Sequence, residues 1–264
     1  QGIYFMKKTL IALAVATSAA VSGSAIAWTA NGTGGSVDMG GTLNPGKVTP
    51  WEVKTGDAVT GLDAKIQKGQ KVVDIAVNKA IPVLGIRTQT SQAFRGQTGI
   101  SPQINYGGAV NVDAFNNGRA PVTLEVKDKT DAKIGMLTTS LGASALVSVY
   151  SEHGGAWRGY HHAYASAAGQ GFFGGLPKNK AATPDYNIAK EVMPEVADHY
   201  TDQGAGYRPV DANETFTNTK YTYSAYYGAG IEKGKTIKIT LDQAASGDAP
   251  IQWKASLPVT VTYM

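Results

Sequence analysis

The chain has 264 residues, with 24 Lys and Arg against 20 Asp and Glu, and removing its leader takes two lysines and no acids, so the net charge falls from +4 to +2. That balance excludes a nucleic-acid or polyanion partner recruited by bulk charge. No cysteine is present, which excludes a disulfide framework and leaves stability to an apolar core or to partners.

The first elements are processing signals. Met6 is followed by Lys7 and Lys8, by an apolar run from Leu10 to Val21, and by Ala25-Ile26-Ala27 with small residues where a signal peptidase reads. This is the pattern of a secretory signal peptide, and the run is shorter than the roughly 20 residues of a spanning helix. Residues 1–27 are therefore expected to be leader, with Gln1 to Phe5 upstream of the start, and the mature chain to begin at Trp28. Residues 28–43 open with a small, Gly-rich stretch and end in a comb: Val37, Met39 and Leu43 share one parity, hence one face of an extended chain.

Residues 44–264 read as the folded domain. Lys71 to Asn78 alternates around Val73, Ile75 and Val77, and Val83 to Arg87 is a second short run. Ile100 to Tyr106 and Ala109 to Ala114 are separated by Gly107-Gly108, a turn signal. Pro121 to Lys127 alternates cleanly, Asp128 to Asp131 is a charged turn, and Ile134 to Thr139 and Ala145 to Tyr150 are two further strands. Alternation then stops. Residues 151–206 hold all four His and many aromatics, and the segment from Tyr186 to Tyr200, with Ile188, Val192 and Val196 at helical spacing, predicts a helix interrupted at Pro194. This stretch reads as a partly helical insertion on a β framework. Strands return at Lys220 to Tyr227, closed by Gly228 to Gly230, and at Thr236 to Asp242. The clearest strand is the last, where Trp253, Ala255, Leu257, Val259, Val261 and Tyr263 alternate with polar residues and Pro258. Short strands with Gly and Asp turns predict an all-β sandwich.

The two ends of the mature chain belong together. A sandwich lacking one strand exposes an apolar groove and unpaired backbone, and an extended segment from another molecule satisfies both. Val37, Met39 and Leu43 suit the part of such a donor strand.

The leader from Met6 to Ala16, the start at Trp28, the stretch Gly35-Ser36-Val37-Asp38-Met39-Gly40-Gly41, Pro82-Val83-Leu84-Gly85 with Arg87, and the C-terminal Gln252-Trp253 and Leu257-Pro258-Val259-Thr260-Val261-Thr262-Tyr263 resemble the Fae-type fimbrial subunits of enterotoxigenic Escherichia coli. The resemblance covers both ends and some middle strands and fades in 151–206. It implies an incomplete immunoglobulin-like sandwich completed by a donor strand. It implies as partners a periplasmic fimbrial chaperone, an outer-membrane usher and other fimbrial subunits, in a fimbrium on the cell surface. The C-terminal strand carrying Leu257, Val259, Val261 and Tyr263 would face the chaperone and usher. In the major subunit of this family an inserted subdomain binds carbohydrate, which makes host glycans a further expected partner.

In the insertion, Trp157, Tyr160, His161 and Tyr164 are the candidate carbohydrate contacts, since aromatic faces stack on sugars. The plainer reading, which the size of the insertion favours, is that these side chains make its own small core and exclude water. No metal site is expected, because adjacent His on a strand point to opposite faces and no helical His pair occurs. No cofactor is expected. No nucleophile elbow or phosphate loop is present, and the acids sit in turns or on the outer face of the helix, so no enzyme is expected. A free-standing lectin-like sandwich is the first alternative and an outer-membrane β-barrel the second.

Overall fold

The alternating runs become strands, and many of their partners are far apart in sequence. The computed structural model describes residues 48–151, 158–184, 187–207, 212–247 and 249–264. The leader, the comb of Val37, Met39 and Leu43, and Trp157 lie outside the described residues. Among those described, the fold is all-β: strands β1 (Trp51–Thr55), β2 (Val72–Ala76), β3 (Ile81–Thr88), β4 (Phe94–Arg95), β5 (Pro102–Asn105), β6 (Arg119–Lys127), β7 (Lys133–Ser151), β8 (Arg158–His162), β9 (Tyr221–Ile231), β10 (Thr236–Leu241) and β11 (Thr260–Tyr263), with one short helix, α1 (Ile188–Val192).

A nine-stranded sheet runs in the order β1-β3-β9-β7-β10-β2, with β4 also on β9 and with β6 and β8 on β7. All its pairs are antiparallel. β7 organises it. Its first half lies between β6 and β10, and its second half between β8 and β9. The sheet ends at β1 and β2 and is therefore not closed into a barrel. A second sheet of two strands, β11-β5, lies across it. Ile104, Val261 and Tyr263 of the second sheet pack with Leu84, Ile86, Val147 and Tyr227 of the first, which makes the fold a sandwich. Ile75, Val126, Leu137, Ile231, Ile237 and Ile239 form a second apolar cluster toward the β2 end.

Three sequence expectations change. Ile134 to Thr139 and Ala145 to Tyr150 are one strand of 19 residues; alternation fails between them because Leu141 to Ser144 are buried on both faces. Gly228 to Gly230 does not end a strand but continues β9. Ala109 to Ala114 is no strand but a single bridge, Val110 to Val122, followed by a 3-10 turn at Val112–Ala114.

The glycines of β9 have a packing reason. α1 is capped by Asn187, whose side chain accepts from the Lys190 amide, and ends at Met193 before Pro194 opens a 3-10 turn. Ile188, Ala189, Val192, Met193 and Val196 lie on the outer face of β7 and β9 with Leu146 and Tyr226. A Cβ on Gly228 would come within 2.8 Å of the Ala189 Cα, and one on Gly230 within 3.0 Å of the Val192 Cβ. The bare backbone lets the helix sit as a third layer. The Ala189 amide donates to Ser144 Oγ at 2.9 Å and fastens it there.

Candidate strand-acceptor groove

The C-terminal segment keeps its alternation in space but not its ladder. Every odd residue from Trp253 to Tyr263 is half-buried and every even one is exposed. Only Thr260–Tyr263 is a strand, paired with β5 from Thr260 opposite Asn105 to Tyr263 opposite Pro102. Upstream, Lys254 exchanges two backbone bonds with Lys127 at the end of β6, both 2.9 Å, and its Nζ reaches Asp131 at 2.7 Å.

The register says which edge is open. Met264 and Ser101 exchange both backbone bonds, at 3.0 and 3.1 Å. In an antiparallel ladder such pairs recur every second residue, so Thr262 and Thr260 also turn their amides and carbonyls toward β5. Those of Val261, Val259 and Leu257 point to the opposite edge. Among the described residues, nothing pairs with that edge.

Beside it runs a groove of about 1430 Å³. Ala255, Leu257 and Val259 line it, together with Leu62 and Ile66. Val122, Leu124, Leu137, Ile231 and Ile237 form its apolar floor, where the two core clusters meet. The second of these segments is as unfinished as the first. Residues 62–66 alternate Leu, Asp, Ala, Lys, Ile, and Leu62 and Ile66 rest on the second cluster, yet residues 57–66 form no backbone bond with another described residue. Both segments thus line the groove with backbone groups that no other described residue pairs, above the buried side chains of Val122, Leu137 and Ile237. Nothing in this arrangement is catalytic. It can pair with an extended peptide and bury alternate side chains.

The candidate glycan residues are divided by the structure. His161 is wholly buried, 3.7 Å from Glu214 through Nε2. Burial, and then the neighbouring His162, hold its imidazole down at about 4, and burial pushes the Glu214 carboxyl up to about 7. Tyr160 is half-buried, its ring 5.4 Å from that of Tyr207. Tyr164 is half-buried and donates its amide to the Ala212 carbonyl. Tyr207, with 46% of its surface exposed, is an aromatic that sequence reading did not single out; it stands alone among polar and Gly residues, where periodicity offers no signal.

Relatives of this chain share the whole of its length. The family of K88-type fimbrial proteins, described as "Fimbrial, major and minor subunit", matches residues 6–264. The chain belongs to this family. It is similar to the K88 fimbrial protein AC of Escherichia coli, 31% identical over 98% of this chain and 100% of the relative. The F41 fimbrial protein of Escherichia coli is 28% identical and the K88 fimbrial protein AD 31% identical, with the same coverage. The chain is thus a structural subunit of a cell-surface fimbrium, exported by way of the periplasm, and it assembles with other fimbrial subunits.

Proposed function

We propose that this subunit is joined to its neighbours by donor-strand exchange in the groove beside β11. An extended segment of another subunit lies along the open edge of residues 255–263 and buries alternate side chains on Leu124, Leu137 and Ile237. The chain's own residues 28–43 are offered in turn to the next subunit, with Val37, Met39 and Leu43 as the plugs, each worth roughly 1.5–3 kcal/mol when fully buried. A periplasmic chaperone holds the groove filled before assembly, and an outer-membrane usher is where the exchange takes place. The observation that carries this reading is the C-terminal segment itself: it is buried like a strand but laddered over only its last four residues.

The test is a synthetic peptide of residues 34–45 added to the full chain. Binding to the native state alone raises stability by about 2.7 kcal/mol at a hundredfold excess over Kd, read as a rise in Tm. Scrambling the order of its residues should abolish the rise. An unchanged Tm with the native peptide rejects the groove as an acceptor.

Glycan binding in the insertion is a second role, favoured by one observation: the exposed ring of Tyr207 packs on Tyr160. Tyr207→Ala should weaken binding on a glycan array while leaving Tm within about 1 kcal/mol of the parent.

A further inference from the structure

β5 and β11 have four residues each, and a two-stranded sheet of that size is marginal by itself. One edge of the pair is open, as described. The other is closed by the chain's own insertion. The Phe172 amide donates to the Pro102 carbonyl at 2.7 Å, and the Ile104 amide donates to the Phe173 carbonyl at 2.8 Å. Gln103 and Phe173 thereby form a parallel bridge. The loop around residue 172 acts as the third strand of the second sheet.

One side chain holds that loop in place. Gln103 is buried, and its Nε2 donates to the carbonyls of Ser101, Pro102 and Gln170 at 3.1, 3.0 and 2.9 Å. Its Oε1 accepts from the Gly169 amide at 3.0 Å. Gln170 continues the chain of bonds, its Oε1 accepting from the amides of Ser166 and Ala167 at 2.6 and 3.2 Å. Beyond them the loop is driven home by Phe172, which has a φ of 63°, a conformation uncommon for an aromatic residue. Its ring is fully buried, stacked on Tyr227 at 5.5 Å and edge-on to Trp51 at 5.7 Å. A Cβ on Gly174 would strike the Ile104 carbonyl, so the backbone of this loop lies directly against β5.

Gln103 stands opposite Thr262 in the β5–β11 register. We propose that Gln103, through the 166–174 loop it holds, is a positioning residue for the acceptor strand: the insertion closes the far edge of β5 so that β11 presents its open edge in one register to an incoming segment. The proposal rests on the strand-acceptor reading above. It makes the insertion part of the assembly machinery as well as a surface feature, because β5 is the one sheet partner of β11 among the described residues.

Gln103→Leu keeps the volume and removes these contacts; the Gly169 amide loses its partner, while the carbonyls of Ser101, Pro102 and Gln170 keep the amides of Met264, Phe172 and Phe173. Two quantities are measured in the full chain: amide exchange in residues 260–263, and the residence time of a fluorescent 34–45 peptide in the groove. Exchange is expected to be roughly tenfold faster and residence roughly tenfold shorter, the consequence of about one lost buried hydrogen bond's worth of order in β11. Ile188→Val, on the helix-covered face, is the control: it lowers Tm but leaves residence unchanged. If Gln103→Leu lowers Tm and leaves residence at the parent value, Gln103 is merely structural and the inference is overturned. Should that variant fail to fold, Gln170→Ala loosens the same loop from its other side and carries the same pair of outcomes. No binding of the peptide to the parent chain is a distinct result, which removes the strand-acceptor reading and this inference with it.

Discussion

The outer face of β7 and β9 and the last fourteen residues of the chain meet the same need, the covering of apolar side chains, in opposite ways. On the outer face the chain supplies its own cover: α1 lies on a bed of glycines and buries Ile188, Val192 and Met193 completely. At the C-terminus it supplies one partner, β5, and leaves Leu257, Val259 and Val261 half-covered beside an apolar floor. Alternation in a sequence reports which side chains face a core. A ladder requires a partner on the edge, and here the partner is missing from the described chain. The covered region is built for stability, and the half-covered one is where we propose that a neighbour joins.

The comparison is broken most severely by filling the glycine bed. Gly228→Val places a branched side chain where the Ala189 backbone already stands. α1 must lift, and we expect a loss of about 3 kcal/mol by urea unfolding, the upper range for overpacking a core. A loss below about 1 kcal/mol would mean that the helix shifts freely and that its contact with the sheet is loose.

A smaller effect sharpens the contrast. Leu257→Ser should cost about 1 kcal/mol or less in the free chain, where the side chain is half-exposed. With the 34–45 peptide bound, the cost should rise to about 2–3 kcal/mol, as for a buried leucine. The quantity to measure is the difference between the two Tm shifts. Equal costs in both states would show that filling the groove does not cover Leu257.

The open region was the more legible in the sequence, and for a physical reason. Trp253 to Tyr263 has one buried and one solvated face, so its period of two survives into the structure even where no ladder forms. The break in the helix at Pro194 was legible for a similar reason, since a proline has no amide to continue it. Where both faces are buried the signal vanished: residues 140–144 read as a gap between strands, and Gly228 to Gly230 read as a turn although it lies beneath α1. β1 and β4 gave no clear pattern. β1 is an edge strand with one buried residue, Trp51, held by its indole N–H to the Ile100 carbonyl at 2.6 Å, and β4 has two residues. The roles of Gln103 and Phe172 were invisible, because they depend on a loop returning to β5 from about seventy residues downstream. Of the candidate glycan residues, His161 falls in a stretch without sustained alternation, where the sequence offered no strand to place it on. Its strand packs on both faces, and the imidazole ended inside.

The inner face of the sheet carries a titratable pair, His161 wholly buried opposite Val147 and Glu214 partly buried beside it, and this gives the smallest effect. His161 has its folded pKa depressed to about 4 from 6.5, so its neutral form is favoured by folding. Its contribution to stability is full above pH 6.5 and is lost as pH falls toward 4. Glu214 has its folded pKa raised to about 7 from 4.5, so its protonated form is favoured. Its contribution is full below pH 4.5 and is lost as pH rises through 7. Between pH 4.5 and 6.5 the two slopes oppose each other, and the parent chain should unfold at a nearly constant urea concentration. Glu214→Gln removes one slope, and stability should then rise with pH across that window. His161→Gln removes the other, and stability should fall, each by at most about 1.4 kcal/mol per pH unit. If both variants stay flat from pH 4.5 to 6.5, the pair is hydrated in solution and β8 breathes near His161. Opposite slopes would establish that the surroundings of His161 stay dry.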